Sequence, residues 1–279
     1  MYRATMLGKA FENACREGTI AKVHSIFDKA VNIQLLKENQ LLTILCESSD
    51  IMSAGCIVDT TFFCRKDKIS VGSVVLLTPD IIYVSNLPYV CSISSSLTWE
   101  RISSADIFSM AKPSYCTLFQ NCCDLKNFLD NSGKSEMFLR TLTADKFNPL
   151  DLIGFGNGLT PSGDDFLAGV LYAMHFIRDL CGGNYLCSPE TVDVISKNLH
   201  QTGAISRHFL RYAINGDWGR ATENFLLALI KEKRDELYGA VNVKMAYGAT
   251  SGEDELRGCL FCFMEYIKIA GGDSFVHNS

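Results

Sequence analysis

Near Ser104 the spacing of apolar residues changes period, and this limits the possible folds more than any other feature of the chain. Before it, Cys56-Ile57-Val58, Thr60-Thr61-Phe62-Phe63, Ser73-Val74-Val75-Leu76-Leu77 and Ile81-Ile82-Tyr83-Val84 are short runs rich in β-branched and aromatic residues, as strands are. Turn formers part them: Arg65-Lys66-Asp67-Lys68, Val71-Gly72-Ser73, Thr78-Pro79-Asp80 and Asn86-Leu87-Pro88. This predicts a small, mostly antiparallel sheet for which a barrel is one available form. Residues 24–45 supply either another strand or a short helix. Beyond Ser104, residues Phe108, Leu118, Leu125, Phe128 and Leu129 fall at helical spacings. Segments 162–181, 204–214, 221–238 and 251–270 each carry an apolar stripe. The expectation is an α+β protein: a β-rich, barrel-like domain over residues 1–103, then a mainly helical domain over 104–279.

The bulk properties narrow the partners. A net charge of −5 gives no reason to expect a nucleic-acid or anionic-membrane surface. No stretch approaches 18 uninterrupted apolar residues, and Met1-Tyr2-Arg3-Ala4-Thr5 lacks the marks of a secretory signal, so a cytoplasmic protein is expected. The 12 cysteines lie scattered through apolar segments and read as reduced, buried thiols. Cys259-Leu260-Phe261-Cys262 has the spacing of a metal clip but no second clip, and Cys122-Cys123 point in different directions on any regular element. Core packing is the reading for both. His24, His175, His200 and His277 share no metal-ligand spacing. The mixed-charge run Lys231 to Glu236 reads as a solvated helix face.

The candidate chemistry is concentrated in a repeat. Ser162-Gly-Asp-Asp-Phe-Leu-Ala-Gly-Val-Leu171 and Ser251-Gly-Glu-Asp-Glu-Leu-Arg-Gly-Cys-Leu260 share six of ten residues. Each serine precedes an apolar-periodic run and has an acid three residues on, which is a capping box with Asp165 or Asp254 as the reciprocal acid. Those two acids are therefore expected to be structural caps. Asp164 and Glu253 also suit a helix N-terminus, yet two such ends side by side would gather four carboxylates. Two unit charges 4 Å apart repel by about 4 kcal/mol at an effective dielectric of 20, so a cation is expected among them. Asp164 and Glu253 are candidate catalytic residues and candidate Mg²⁺ ligands, since Mg²⁺ takes one or two carboxylates plus substrate oxygens.

Gly154-Phe155-Gly156-Asn157-Gly158 directly precedes the first motif, and alternating glycines let backbone N–H groups close on a ligand. Gly154, Gly156, Asn157, Gly158, Thr160, Ser162 and Ser251 are the candidate substrate-binding residues. Gly169 and Gly258, seven residues past each serine, would let two helices approach closely. The basic candidates are Arg207, taken as catalytic, with His208, Arg211 and Arg257 as further options. Arg257 also stands four residues after Glu253, where a simple ion pair would form. No nucleophile elbow, P-loop lysine or His-Glu-x-x-His occurs.

The run Gly156-Asn-Gly-Leu-Thr-Pro-Ser-Gly-Asp-Asp-Phe-Leu-Ala-Gly169 resembles the hallmark of the AllH-type oxamate carbamoyltransferase subunit family. Thr250 to Gly258, the Ser206…Leu210…Ala213…Gly216 pattern and the Ser25-Ile26-Phe27…Ala30…Asn32 segment resemble that family too. The resemblance implies a part in allantoin or related ureide catabolism within purine breakdown. There a carbamoyl group moves between oxalurate and phosphate to give oxamate and carbamoyl phosphate. It also implies a multi-subunit complex with an FdrA-like subunit and a further companion protein. The residues leave two other functions open: a Mg²⁺-dependent hydrolase of a small ureide or phosphorylated compound, and a non-catalytic assembly subunit.

Overall fold

The computed structural model describes residues 2–37, 40–46, 50–87, 91–182 and 189–276, and the chain divides into two units, Met1–Arg101 and Ile102–Ser279. Pro88 and His277, named in the sequence reading, lie outside the described residues. The first unit starts with β1 (Tyr2–Gly8) and α1 (Lys9–Arg16), which buries Phe11, Ala14 and Cys15 at helical spacing. Then come β2 (Ile20–Ile26), β3 (Ala30–Leu35), β4 (Leu41–Cys46), β5 (Gly55–Val58), α2 (Thr60–Phe63), β6 (Val74–Leu77), β7 (Ile81–Val84), β8 (Cys91–Ser92) and β9 (Leu97–Trp99).

The strands run in the order β5-β4-β3-β2-β6-β7-β8-β1, and β1 pairs back onto β5, so eight strands close into a barrel; β9 adds beside β1. The ladder is antiparallel except where β1 meets β8 and β9 and where β4 meets β5. Alternation sets which side chains fill it: Val75, Leu77, Ile82 and Val84 are buried while Val74, Leu76 and Tyr83 face outward.

Two expectations change here. Residues 24–45 form no helix but complete β2 and supply β3 and β4. Thr60–Phe63 is a helical turn rather than a strand. The Asp59 carboxylate accepts from the Phe62 N–H at 3.2 Å and the Thr61 hydroxyl at 2.5 Å, a local cap that overrides β propensity.

The second unit holds α3 (Ser104–Ser109), α4 (Tyr115–Ser132), α5 (Met137–Arg140), α6 (Pro149–Leu152), α7 (Ser162–Cys181), α8 (Pro189–Asn198), α9 (Ala204–Ile214), α10 (Arg220–Leu229), α11 (Arg234–Met245) and α12 (Ser251–Val276). Helix α7 is buried on almost every face, as a central helix must be. It runs beside α12 in the same direction: Thr160 meets Ser251, Gly169 meets Cys259, Phe176 meets Phe263 and Cys181 meets Tyr266.

The seam closes on the two predicted glycines. A Cβ on Gly169 would stand 2.0 Å from the Glu255 carbonyl oxygen, and one on Gly258 would stand 2.0 Å from that of Phe166. These contacts are equivalent across the repeat, because Phe166 and Glu255 hold the same place in the two motifs. The helical unit is thus organised about a local pseudo-twofold axis.

Residues 221–238 are two helices, not one. The Asn121 amide donates to the carbonyls of Leu229 (2.7 Å) and Lys231 (2.9 Å), which ends α10 and spends the carbonyls a continuous helix would need. The charged run therefore straddles a break; its residues are exposed, with Lys233 on Glu236 (2.7 Å) and Arg234 on Asp124 (2.7 Å).

The capping-box reading is also corrected. Helix α7 begins with Pro161 as its N-cap, and the Asp165 N–H bonds to the Pro161 carbonyl at 3.1 Å; Asp254 bonds to Thr250 likewise at 2.9 Å. Each serine is thus the first helical residue, and Asp165 and Asp254 lie one position too far on to close a capping box. Their side chains turn to the neighbouring helix instead.

Candidate site at the paired helix starts

Asp164 is almost wholly buried and ties the first motif to its surroundings. Its Oδ1 accepts from the Gly154 N–H at 2.9 Å, and its Oδ2 accepts from the hydroxyls of Thr202 and Ser206, the latter at 2.6 Å. Glu253 does the same for the second motif. It accepts from the Ser132 hydroxyl, the Ser135 N–H at 3.3 Å, and Arg257 through Nε (3.0 Å) and Nη2 (2.9 Å). Arg257 reaches on to the Leu129 carbonyl (2.6 Å) and Asp130 (3.2 Å), so this buried pair pins the end of α4.

A carboxylate offers about four lone-pair positions; Asp164 has three donors on its two oxygens, and Glu253 has three donors on Oε1 and one on Oε2. The partner sets of these two acids share no residue. Among the described residues no group of three or more His, Cys, Asp or Glu side chains has a metal-holding arrangement.

Asp165 and Asp254 are the acids that the two helices bring together. Asp165 accepts hydrogen bonds from Ser251 and Thr160, across the seam and from its own loop. Asp254 accepts from Ser162 across the seam and from Ser135 and Thr250. The Thr160 and Ser251 hydroxyls stand 3.0 Å apart. Each acid keeps one oxygen, Oδ2, that is buried and has no hydrogen-bond partner.

Burial pushes the Asp165 carboxyl up to about 8, reinforced by the nearby charges of Glu255 and Asp254 and opposed by the Ser251 and Thr160 hydrogen bonds. Asp254 is raised as well, first by burial. Glu255 is neutralised by the buried Lys244, whose ammonium lies 2.7 Å from it and 3.0 Å from the Thr222 hydroxyl.

The glycine loop leads into α7, with Gly156 packed against Ser162. Gly156 and Gly158 hold φ values of +107° and +98°, accessible only to glycine at low cost. Residues 156–159 are exposed, and the backbone N–H groups from Gly156 to Thr160 have no acceptor among the described residues. Successive free N–H groups over a helix start form a concavity suited to an anion or oxyanion.

The predicted candidates thus separate. Thr160, Ser162 and Ser251 line the acid pair; Gly156 packs against Ser162; Asn157 and Gly158 are exposed in the loop before α7; Gly154 serves Asp164. Arg207 lies elsewhere: Nε and Nη2 donate to the carbonyls of Leu199 (3.0 Å) and Thr202 (2.9 Å), bracing the turn that carries Thr202. His208 is buried, and its pKa falls to about 4 through burial and the neighbouring Arg211. His175 bonds the Ile214 carbonyl at 2.9 Å. Cys259 and Cys262 are buried core thiols, and no disulfide joins any of the described cysteines.

Sequence reasoning missed Ser135, Lys244 and Thr222 as parts of this polar seam. None stands at a spacing from the motifs that any regular element would predict.

These features define a class: a protein with a closed β-barrel unit and a helical unit built on a duplicated helix start with facing buried acids. Residues 152–263 match the family described as oxamate carbamoyltransferase subunit AllH, and residues 3–98 match the AllH family N-terminal domain. The chain belongs to the AllH family. No solved structure matches it. Among the described residues no helix is long and apolar enough to cross a membrane.

Proposed function

We propose that this chain is a cytoplasmic oxamate carbamoyltransferase subunit that contributes catalytic groups from the seam between α7 and α12. It would act in the breakdown of allantoin or related ureides and work with an FdrA-like subunit and a further companion protein. The observation that carries the reading is the facing pair Asp165 and Asp254, each with a buried free oxygen, at helix starts of which one follows a loop of open N–H donors.

In oxalurate cleavage a phosphate oxygen bonds to the carbamoyl carbon, the bond from that carbon to the oxamate nitrogen breaks, and that nitrogen takes up a proton. Asp165, kept protonated at neutral pH by its raised pKa of about 8, supplies that proton. Asp254 accepts from the carbamoyl amide N–H. The loop N–H groups from Gly156 to Gly158 stabilise the oxyanion, and Thr160, Ser162 and Ser251 hold the two acids in place. Asp164 and Glu253 act here as positioning residues, because the fold occupies their oxygens, and Arg207 positions the turn that carries Thr202, a partner of Asp164.

The test is phosphate-dependent cleavage of oxalurate by the chain alone and with its companions. Asp165→Asn and Asp254→Asn should each lower kcat by about a hundredfold, the scale of general-acid catalysis, with the melting temperature retained. Unchanged kcat in both variants rejects chemistry at the seam. The saturation of Asp164 and Glu253 favours, as a second reading, a subunit whose motifs serve assembly, and activity that needs companions but neither seam acid would establish it.

A further inference from the structure

Helices α8 and α9 and the turn between them enclose an open cleft of about 520 Å³ that the proposed chemistry does not use. Its charged lining is Lys197, His200, Arg207 and Arg211, with Leu199 and Ile214 as an apolar strip; no carboxylate lines it among the described residues. Lys197 is partly neutralised by Asp193 at 2.5 Å, outside the lining. The exposed Arg211 guanidinium and the exposed His200 ring have no partner among the described residues.

Arg207 is differently placed. With Nε and Nη2 fixed on the Leu199 and Thr202 carbonyls, its guanidinium is held at the cleft without a carboxylate to neutralise it. Arg207 and Arg211 are four residues apart on α9 and share one face, so two guanidinium groups serve the same space. Like charges at this spacing on one helix face repel unless an anion answers them, and a guanidinium pair matches the oxygens of a phosphoryl group.

Volume sharpens the ligand class. The cleft falls in the range of about 300–1,000 Å³ typical of whole small-molecule sites, far more than one inorganic phosphate fills. We infer that this cleft binds an organic phosphate ester, its phosphoryl group on Arg207 and Arg211 and its carbon body along Leu199 and Ile214. The site is separate from the acid pair and does not rest on the carbamoyl-transfer reading.

Calorimetric titration of the full chain with inorganic phosphate and with phenyl phosphate, at constant ionic strength, tests the assignment. Both should saturate, with phenyl phosphate binding several-fold more tightly. Arg211→Gln should weaken both by about tenfold, the scale of a charge-assisted hydrogen bond, without lowering the melting temperature of this exposed position. Absence of saturable binding overturns the site, as does binding unchanged in both Arg211→Gln and His200→Ala. Phenyl phosphate no tighter than phosphate overturns the ester class. Failure of oxalurate cleavage in the assay above leaves these titrations standing, so the two readings fall separately.

Discussion

Replacing Gly258 with alanine tests the packing on which the acid pair depends. The new methyl carbon would start 2.0 Å from the Phe166 carbonyl oxygen, so α7 and α12 must part by at least about 1 Å before even the tightest observed contact, 3.0 Å, is reached. Backbone is on both sides, and no side chain can swing away. Overpacking of this kind costs about 1–3 kcal/mol where side chains yield and more where main chain must move, while alanine returns about 1 kcal/mol of helix propensity. The net loss should be about 2–4 kcal/mol, or roughly 5–10 °C in Tm for a unit of this size.

Gly169→Ala, which meets the Glu255 carbonyl at the same distance, should cost a similar amount. The double variant should cost clearly less than the two losses added, because helices already parted by one methyl accept the second. Urea unfolding of the three variants measures all of this. A Gly258→Ala stability within about 0.5 kcal/mol of the parent, or strict additivity in the double variant, refutes the direct-contact argument.

Three further outcomes follow from the polar seam. Asp165 has a folded pKa raised to about 8, above its unfolded value, so the folded state holds a proton that the unfolded chain releases; stability should therefore fall as pH rises from about 4 to about 8, and Asp165→Asn should flatten that slope in denaturation series at several pH values. Lys244→Met strands the partly buried Glu255 charge and should cost about 2–3 kcal/mol, with Lys244→Met/Glu255→Gln recovering much of it in thermal melts. Asp164→Ala should lose about 3 kcal/mol by orphaning Thr202, Ser206 and the Gly154 N–H, whereas full stability would return Asp164 to the functional candidates.

Much of this was legible in the chain, and the parts that were not have identifiable causes. Helix α9 matches its predicted span because Gly203 and Asn215 bracket an uninterrupted stripe. The strand reading of Thr60–Phe63 failed because one aspartate outweighed four strand-favouring residues. The split after Leu229 was invisible because the agent, Asn121, lies 108 residues earlier. For the seam, sequence pointed to the two motifs but not to which of their acids bond across it. Local rules assign Asp165 and Asp254 to their own helices, whereas their partners, Ser251 and Ser162, belong to the other copy. Spacing of 89 residues announces similarity, but only the glycine contact at Gly169 and Gly258 turns similarity into adjacency.

The barrel's closing strand sets a schedule for synthesis. Strand β1 is synthesised before all of its ladder partners, which are Cys56, Ile57, Val58, Cys91, Ser92 and Leu97 to Trp99. Tyr2 to Gly8 must therefore wait, with apolar side chains uncovered, until nearly a hundred residues have been made. Closure over so long a loop is slow compared with local helix formation. In a growing polypeptide the barrel unit is thus a natural client for a holding chaperone.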